Sequence, residues 1–264
     1  MFIDKISAYL RSVSATGRLH SQGLPFVPKK LLKLAPFNRE AYNTFLTEAV
    51  GWNLGRSPLI CDVGANNGDF ALAFQSAYPE ARLHLFEPLE RHLAHLRKLK
   101  ETGSYAWTIH PFALGSRSEE LEIEVPDGFE DASSLLGFSE EYLRQNPRSA
   151  KTRREICRVR PLDELMAAQA TDVIDLLKID VEGFEFAVLE GALETLSKVR
   201  NVVVEVSLLR HSEGDYCPIS RMVATLEKQG LQLFRMQPTV TGDGPGKRPL
   251  EYDLYFTRSR EATA

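Results

Sequence analysis

CDVGANNGDF, residues 61–70, is the stretch that decides the fold. The apolar pair Leu59 and Ile60 precedes it, and a run of alanine, leucine and phenylalanine follows it. An apolar run, a tight turn with two glycines and a second apolar run together predict a strand, a turn and a helix. This pattern raises the question of whether the turn binds a pyrophosphate, another ligand or nothing.

Strand-like and helical patterns alternate along most of the chain. The predicted strands cover residues 59–63, 82–86, 107–113, 174–179, 201–208, 231–236 and 252–257, and the predicted helices cover residues 39–51, 70–78, 89–102, 186–197 and 219–229. Asn38 is the expected N-cap of the first of these helices. The alternation predicts an α/β fold in which helices cover both faces of a mostly parallel sheet. Ligands of such sheets bind beyond the carboxyl ends of the strands.

The composition narrows the class of protein. With 264 residues, 43% of them hydrophobic and 26% charged, the chain has the make-up of a soluble globular protein. Its net charge of −4 gives no support to a nucleic-acid partner. The three cysteines form no CxxC pair, which argues against a zinc site or a disulfide framework and favours a reducing compartment. No apolar run is long enough to span a membrane or resembles a secretory signal, so we expect a cytoplasmic protein.

The residues of the turn indicate the charge of its ligand. A dinucleotide site has the pattern G-x-G-x-x-G, in which the second glycine lets the backbone approach a pyrophosphate. Here Asn66 stands in place of that glycine, between Gly64 and Gly68. Asp62, at the end of the preceding strand, would repel a pyrophosphate and attract a cation. S-adenosylmethionine carries an ammonium, a sulfonium and a ribose but no phosphate, so it fits this turn.

A second carboxylate lies at the end of the next predicted strand. Glu87 is placed to accept hydrogen bonds from both hydroxyls of a ribose. NAD-binding chains have the same acid, so Glu87 alone does not discriminate between the two cofactors. Asp62 and the missing middle glycine favour S-adenosylmethionine. The alternative for Gly64 and Gly68 is a strand-to-helix turn that binds no ligand.

Six motifs occur in a recognisable order. They are DVGANNGDF (62–70), FEP (86–88), FALG (112–115), LDEL (162–165), LLKIDVEGFEFAVLEGA (176–192) and VVVEV (202–206). In this order they resemble the FkbM family of S-adenosylmethionine-dependent methyltransferases over residues 58–209, and LLKIDVEGFE is the most specific of them. The resemblance implies a Rossmann-like class I methyltransferase fold, with seven strands of which the last is antiparallel. It also implies O-methylation of a sugar, a glycolipid or a secondary metabolite.

The resemblance also implies which residues contact the cofactor. They are Asp62, Gly64, Asn66 and Gly68 at the methionine end, Glu87 at the ribose, Ala113 and Leu114 beside the adenine, and Asp180 near the methyl group. Gly115 is expected to turn the chain after the adenine. Substrate loops vary within a fold, so the resemblance does not identify the acceptor.

Three residues are candidates for catalysis. A sugar hydroxyl is a poor nucleophile at neutral pH, so its methylation needs a base or a metal ion. Asp180 is our first choice for the base, and with Glu205 it has the oxygen ligands that Mg²⁺ prefers. His211 is an alternative base if its loop covers the site. Glu185 is expected to cap the following helix, and Glu182 to combine capping with a role in the site.

The chain ends and one insertion have no family motif. We expect a helical arm over residues 1–55, a methyltransferase domain over 56–258 and a tail over 259–264. The arm is basic and amphipathic, so it packs on the domain, forms a homodimer interface or rests on an anionic membrane. A basic insertion over about 126–160 either clamps an acidic or phosphorylated acceptor or forms a solvated helix face.

Two other functions remain open on the sequence alone. A dinucleotide-dependent oxidoreductase would have a related sheet, although the turn disfavours it. A catalytically idle partner subunit would retain the fold, although the four acids Asp62, Glu87, Asp180 and Glu205 argue against a loss of activity. The expected partners of the methyltransferase are a small-molecule or glycan acceptor and no nucleic acid.

Overall fold

The computed structural model describes residues 38–128, 130–167, 173–208, 217–241 and 249–258. The chain forms two compact units, Met1–His110 and Pro111–Ala264. The helix predicted near the N-terminus, His211 and the tail lie outside the described residues. Predictions about them therefore stay predictions.

The first unit alternates strands and helices as the sequence predicts. Its strands are β1 (Leu59–Val63), β2 (Arg82–Phe86) and β3 (Trp107–His110), and its described helices are α1 (Arg39–Gly51), α2 (Asp69–Ala77) and α3 (Glu90–Gly103). β2 pairs in parallel with both β1 and β3. Every residue of β1 is buried, as expected for a strand that helices cover on both faces.

Helix α1 begins where its capping residue predicts. The Asn38 side chain accepts hydrogen bonds from the backbone N–H groups of Glu40 and Ala41, which satisfies two donors of the first turn. The helix packs on α2, where the rings of Phe45 and Phe70 meet edge to face at 5.4 Å. The boundaries predicted for α1 and its cap are confirmed.

The second unit contains the remaining strands and a smaller sheet. Its strands are β4 (Ala113–Leu114), β5 (Glu119–Pro126), β6 (Thr152–Arg160), β7 (Leu176–Ile179), β8 (Asn201–Ser207), β9 (Leu231–Thr241) and β10 (Pro249–Arg258), and its described helices are α4 (Glu140–Gln145), α5 (Leu162–Ala167), α6 (Glu185–Glu190), α7 (Leu193–Leu196) and α8 (Ile219–Lys228). Short 3₁₀ helices cover Glu130–Ala132 and Pro147–Ala150. β4, β6 and β5 form a three-stranded sheet in that order.

The main sheet has seven strands in the order β3-β2-β1-β7-β8-β10-β9. β7 and β8 are parallel, whereas β10 runs antiparallel to both β8 and β9. The late antiparallel strand is the feature that the resemblance implies. The class I methyltransferase fold predicted from the sequence is therefore confirmed.

Three predicted elements differ from the structure. The strand predicted over 107–113 is divided, because β3 ends at His110 and β4 joins the smaller sheet. The helix predicted over 186–197 is two helices, α6 and α7, separated at Gly191 and Ala192. The arginines Arg153, Arg154, Arg158 and Arg160 of the basic insertion lie on β6, which pairs antiparallel with β5, and not on a helix face.

The break between α6 and α7 lies at a close approach of two backbones. A Cβ atom built on Gly191 would lie 1.9 Å from the carbonyl oxygen of Gly115, so the two family motifs that contain these glycines meet at this point. We therefore expect Gly191→Ala to lower the free energy of unfolding by about 1–3 kcal/mol, the usual cost of overpacking. Urea denaturation measures it. Gly51→Ala is the control, because its Cβ would meet nothing within 4 Å; an unchanged Gly191→Ala midpoint would contradict the steric argument.

Two arginines of the insertion form ion pairs with nearby acids of the second unit. Arg153 Nη1 lies 3.1 Å from Glu130 Oε1, and Arg154 Nη2 lies 3.0 Å from Glu124 Oε1. The more exposed pair, Arg154 with Glu124, joins β6 to β5, and an exposed pair of this kind contributes about 0–1 kcal/mol. Because these guanidinium groups already bind carboxylates, they are poorly placed to clamp an acidic acceptor.

Two further observations concern the cysteines and the described helices. Cys61, Cys157 and Cys217 are free thiols, and the first two are buried. Within the described ranges, no helix combines the length and the apolar composition that a membrane span needs.

Candidate cofactor turn and carboxylate cluster

The turn between β1 and α2 is built from three residues with a left-handed backbone. The φ angles are 81° at Gly64, 47° at Asn66 and 80° at Gly68. A Cβ atom on Gly68 would also lie 2.8 Å from Leu96 Cδ2, so the glycine lets the turn pack against α3. The positive φ angles of the turn therefore account for the presence of glycine at positions 64 and 68 and of asparagine at position 66.

Glu87 braces this turn. Its Oε2 accepts a hydrogen bond from the backbone N–H of Asn66 at 2.9 Å, and its Oε1 accepts one from the backbone N–H of Leu89, also at 2.9 Å. The side chain is buried, with 4% of its surface exposed. The bracing role was not foreseen from the sequence, and the ribose contact stays a prediction.

Asp62 is fully buried in β1, just before the turn. Burial raises the pKa of the neighbouring Cys61 thiol to about 12, and the Asp62 carboxylate adds to this shift. A thiol with so high a pKa is not a nucleophile at neutral pH.

The two residues predicted to lie beside the adenine are in the second unit. Ala113 and Leu114 form β4 and are buried, where they pair with Val159 and Arg160 of β6. Gly115 follows and donates its backbone N–H to the carbonyl oxygen of Arg160 at 3.1 Å. Their contact with an adenine ring stays a prediction.

A group of carboxylates gathers at the ends of β7 and β8. One carboxylate oxygen from each of Asp180, Glu182 and Glu205 lies within 4.8 Å of the other two. The Lys178 ammonium lies 3.0 Å from Asp180 Oδ2. The structure thus brings together the two residues predicted to act in catalysis, Asp180 and Glu205, and adds Glu182 to them.

Strand β10 adds two acids that the sequence analysis missed. Asp253 lies directly opposite Glu205 in the antiparallel pairing, and Glu251 lies two residues before it on the same face. The segment EYD contains a signal, because acids at positions i and i+2 of a strand share a face. The register of β10 decides which strand they meet. We call Asp180, Glu182, Glu205, Glu251 and Asp253 the carboxylate cluster.

The charges of the carboxylate cluster affect each other. Burial raises the pKa of Glu182 and of Glu205 well above the usual value for a glutamate, and the Asp180 charge raises both further. Burial and the Asp180 charge also raise the pKa of Glu251. Like charges at short range favour protonation or the binding of a cation. The cluster is therefore suited to holding a proton or a cation and disfavours an anion.

The insertion contacts the carboxylate cluster through Glu182. The φ angle of Glu182 is 54°, which is unusual for a residue with a side chain, and Ser134 Oγ donates a hydrogen bond to its carbonyl oxygen at 2.8 Å. Tyr142 is buried, and this burial and then the Glu182 charge raise its pKa. Residues of the insertion thus form part of the surroundings of the cluster.

Glu185 stabilises the turn before α6, close to the capping role predicted for it. Its Oε1 accepts hydrogen bonds from the backbone N–H groups of Val181 and Gly183 at 3.1 and 2.9 Å. Burial raises its pKa to about 7, while these hydrogen bonds lower it. Glu185 therefore supports the backbone that carries Asp180 and Glu182.

The described histidines have structural contacts. Ring nitrogens of His84 and His110 lie 3.1 Å apart, and His92 Nδ1 lies 3.0 Å from Asn67 Oδ1. Burial lowers the pKa of His95. His211, the alternative base, lies outside the described residues.

Comparisons with known proteins show what this chain is similar to. Residues 62–233, more than half of the chain, match the methyltransferase FkbM domain. The 2-O-methyltransferase NoeI of Sinorhizobium fredii is 29% identical over 170 residues, which cover 60% of this chain and 66% of NoeI. The AMB antimetabolite synthetase AmbE of Pseudomonas aeruginosa is 32% identical over 181 residues, which cover 56% of this chain and 8% of AmbE. The chain thus spans less than two thirds of the length of either relative.

The chain is also similar to a solved structure. The crystal structure of methyltransferase FkbM from Methylobacillus flagellatus KT aligns with 93% of this chain and 59% of its own, with 17% identity and a TM-score of 0.47.

Proposed function

The chain belongs to the FkbM methyltransferase family, and from that premise we propose that it transfers the methyl group of S-adenosylmethionine to a hydroxyl group. The acceptor is a sugar, a glycolipid or a secondary metabolite. A relative named as a 2-O-methyltransferase supports oxygen as the methylated atom. We call the turn between β1 and α2, with the buried carboxylates of Asp62 and Glu87 beside it, the acidic turn. It is the observation that supports S-adenosylmethionine as the cofactor.

The turn fits the chemistry of S-adenosylmethionine. Asp62 and Glu87 are buried carboxylates, which suit an ammonium group and ribose hydroxyls and oppose a pyrophosphate. Asn66 Oδ1 is a buried acceptor to which no donor within the described ranges binds. A buried acceptor without a donor costs free energy, so it favours a ligand that brings N–H or O–H groups. We assign Asp62 and Asn66 to the methionine end of the cofactor and Glu87 to the ribose.

The carboxylate cluster is the proposed site at which the acceptor hydroxyl reacts. When bound, S-adenosylmethionine supplies an electrophilic methyl group. The acceptor oxygen forms a bond to the methyl carbon while the carbon–sulfur bond breaks, the electron pair stays on sulfur, and the hydroxyl proton moves to Asp180. The neighbouring carboxylates favour neutral acceptors over phosphorylated ones, because a phosphate would be repelled.

Mg²⁺ is the alternative chemistry for the same residues, and the spacing of the three carboxylates favours it as a second candidate. Asp180, Glu182 and Glu205 offer hard oxygen ligands close together. In that case the metal ion would lower the pKa of the acceptor hydroxyl, and Asp180 would be a ligand instead of the base. Removal of metal ions distinguishes the general base from the metal site.

Calorimetric titration tests the cofactor assignment directly. We expect the purified chain to bind S-adenosylhomocysteine saturably and to show no binding of NAD under the same conditions, because the turn opposes a pyrophosphate. Mass spectrometry of neutral methyl glycosides incubated with S-adenosylmethionine then measures a gain of one methyl group. Binding of NAD without binding of S-adenosylhomocysteine would support the oxidoreductase. Binding of S-adenosylhomocysteine without methylation of any tested glycan or metabolite would favour the idle partner subunit.

A further inference from the structure

Lys178 is a charged residue within an apolar strand. β7 has the sequence LLKI and all of its residues are buried, with 7% of Lys178 exposed. Its ammonium lies 3.0 Å from Asp180 Oδ2. An ammonium group loses several kcal/mol of hydration on burial, and an apolar side chain of similar volume is often as stable or more stable at such a position. Fold stability alone therefore does not account for a lysine here.

The strand geometry directs the lysine toward the carboxylate cluster. Side chains at positions i and i+2 of a strand share a face, so the Lys178 side chain lies on the face where Asp180 follows the strand. Asp180 comes directly after β7, in a segment that continues into the left-handed residue Glu182. One carboxylate oxygen of Asp180 lies within 4.8 Å of one from each of Glu182 and Glu205, and the Asp180 charge raises the pKa of both glutamates. The Lys178 ammonium offsets the Asp180 charge, so we expect the Asp180 carboxylate to move when the ammonium is removed.

We infer that Lys178 is a positioning residue for methyl transfer: its ammonium holds one oxygen of the Asp180 carboxylate and leaves the other to accept the proton of the acceptor. This inference rests on the proposed function. Lys178 acts through Asp180 and contacts neither the methyl group nor the acceptor oxygen.

A second ion pair, next to the amino end of β7, provides the control. Arg200 Nη1 lies 2.6 Å from Asp175 Oδ1. Asp175 directly precedes β7, so this pair lies at the amino end of the strand while Lys178 and Asp180 mark its carboxyl end. Arg200→Met removes a cation from a carboxylate without touching the cluster. It therefore shows the effect of losing an ion pair outside the cluster, at a cation that is more exposed than Lys178.

Crystal structures of the variants test the inference without an acceptor. We expect the Asp180 carboxylate to leave its position in Lys178→Met and to keep it in Arg200→Met. Lys178→Gln takes the place of the methionine variant if that variant does not fold, because it keeps a polar head and removes the charge. An Asp180 carboxylate that stays in place without the Lys178 charge would overturn the inference.

Kinetics on a neutral methyl glycoside then tests whether the position matters. We expect Lys178→Met to lower kcat roughly 10- to 100-fold, as misplacement of a reacting group does, with unchanged affinity for S-adenosylhomocysteine. Lys178→Arg should restore part of the loss. In an Asp180→Asn background Lys178→Met should cause no further loss, whereas additive losses would show that the lysine acts independently of Asp180. If Asp180→Asn alone leaves kcat unchanged, the proposed base is wrong, while the structural result still decides the role of Lys178.

Discussion

Asp180→Asn is expected to lower kcat roughly 10²- to 10⁴-fold, the usual contribution of a positioned general base. Asparagine keeps the shape of the side chain but accepts a proton far less readily. The affinity for S-adenosylhomocysteine should stay close to that of the unaltered chain, because the acidic turn supplies most of the proposed contacts of the cofactor. Turnover on a neutral glycoside and calorimetric titration measure the two quantities on the same preparation.

The substitution also leaves the ammonium of Lys178 without its charged partner. Breaking a buried pair is destabilising, so a lower melting temperature is expected and has to be separated from the chemistry. Asp175→Asn is the control, since it breaks the pair with Arg200 at the opposite end of β7. This control variant should lose stability while keeping kcat. Equal losses of kcat in both variants would contradict a specific role for Asp180.

Treatment with EDTA distinguishes the base from the metal ligand. If Asp180 is the base, turnover survives EDTA, and added Mg²⁺ leaves it unchanged. If Asp180, Glu182 and Glu205 bind Mg²⁺, EDTA abolishes turnover and Mg²⁺ restores it. The second outcome would replace the general base in our proposal while keeping the same carboxylates at the site.

Features set by neighbouring residues could be predicted from the sequence. The cap at Asn38 depends on residues two and three positions away, and its structure agrees with the expectation. The turn around Gly64 and Gly68 depends on backbone angles that glycine adopts readily, so its pattern indicates it directly. The seven strands of the main sheet follow from apolar runs of a suitable length.

Features set by tertiary contacts could not be predicted in the same way. Asp253 joins the carboxylate cluster only because β10 pairs with β8 in one register, and a shift by one residue would point it to the other face. The bracing of the turn by Glu87 depends on the approach of a second strand to Asn66. The smaller sheet depends on pairing between β5 and β6, which are separated by about two dozen residues of irregular structure and short helices.

The most selective test of the acidic turn is Asp62→Asn. We propose that the Asp62 carboxylate binds the ammonium group of the cofactor, and a hydrogen bond to a charged group contributes about 1.5–3 kcal/mol. Since each 1.4 kcal/mol is a factor of ten, the affinity for S-adenosylhomocysteine should fall about 10- to 100-fold. Methylthioadenosine has the same ribose and adenine but lacks the amino acid. Its affinity should therefore be unchanged by Asp62→Asn, as measured by calorimetry.

Glu87→Gln is the matched comparison, because it alters the buried carboxylate that follows β2 and braces the same turn. Glutamine offers one acceptor oxygen where Glu87 accepts backbone N–H groups on both, so the variant loses one brace as well as the proposed ribose contact. Both nucleosides contain the ribose, and we expect this variant to bind both of them more weakly. A loss of both ligands in Asp62→Asn, equal to the loss in Glu87→Gln, would show that Asp62 shapes the turn and does not bind the ammonium. If Asp62→Asn weakens only the binding of S-adenosylhomocysteine, the ammonium group of the cofactor lies against Asp62. A dinucleotide has a negatively charged pyrophosphate instead of this ammonium, so such a result would also argue against a dinucleotide.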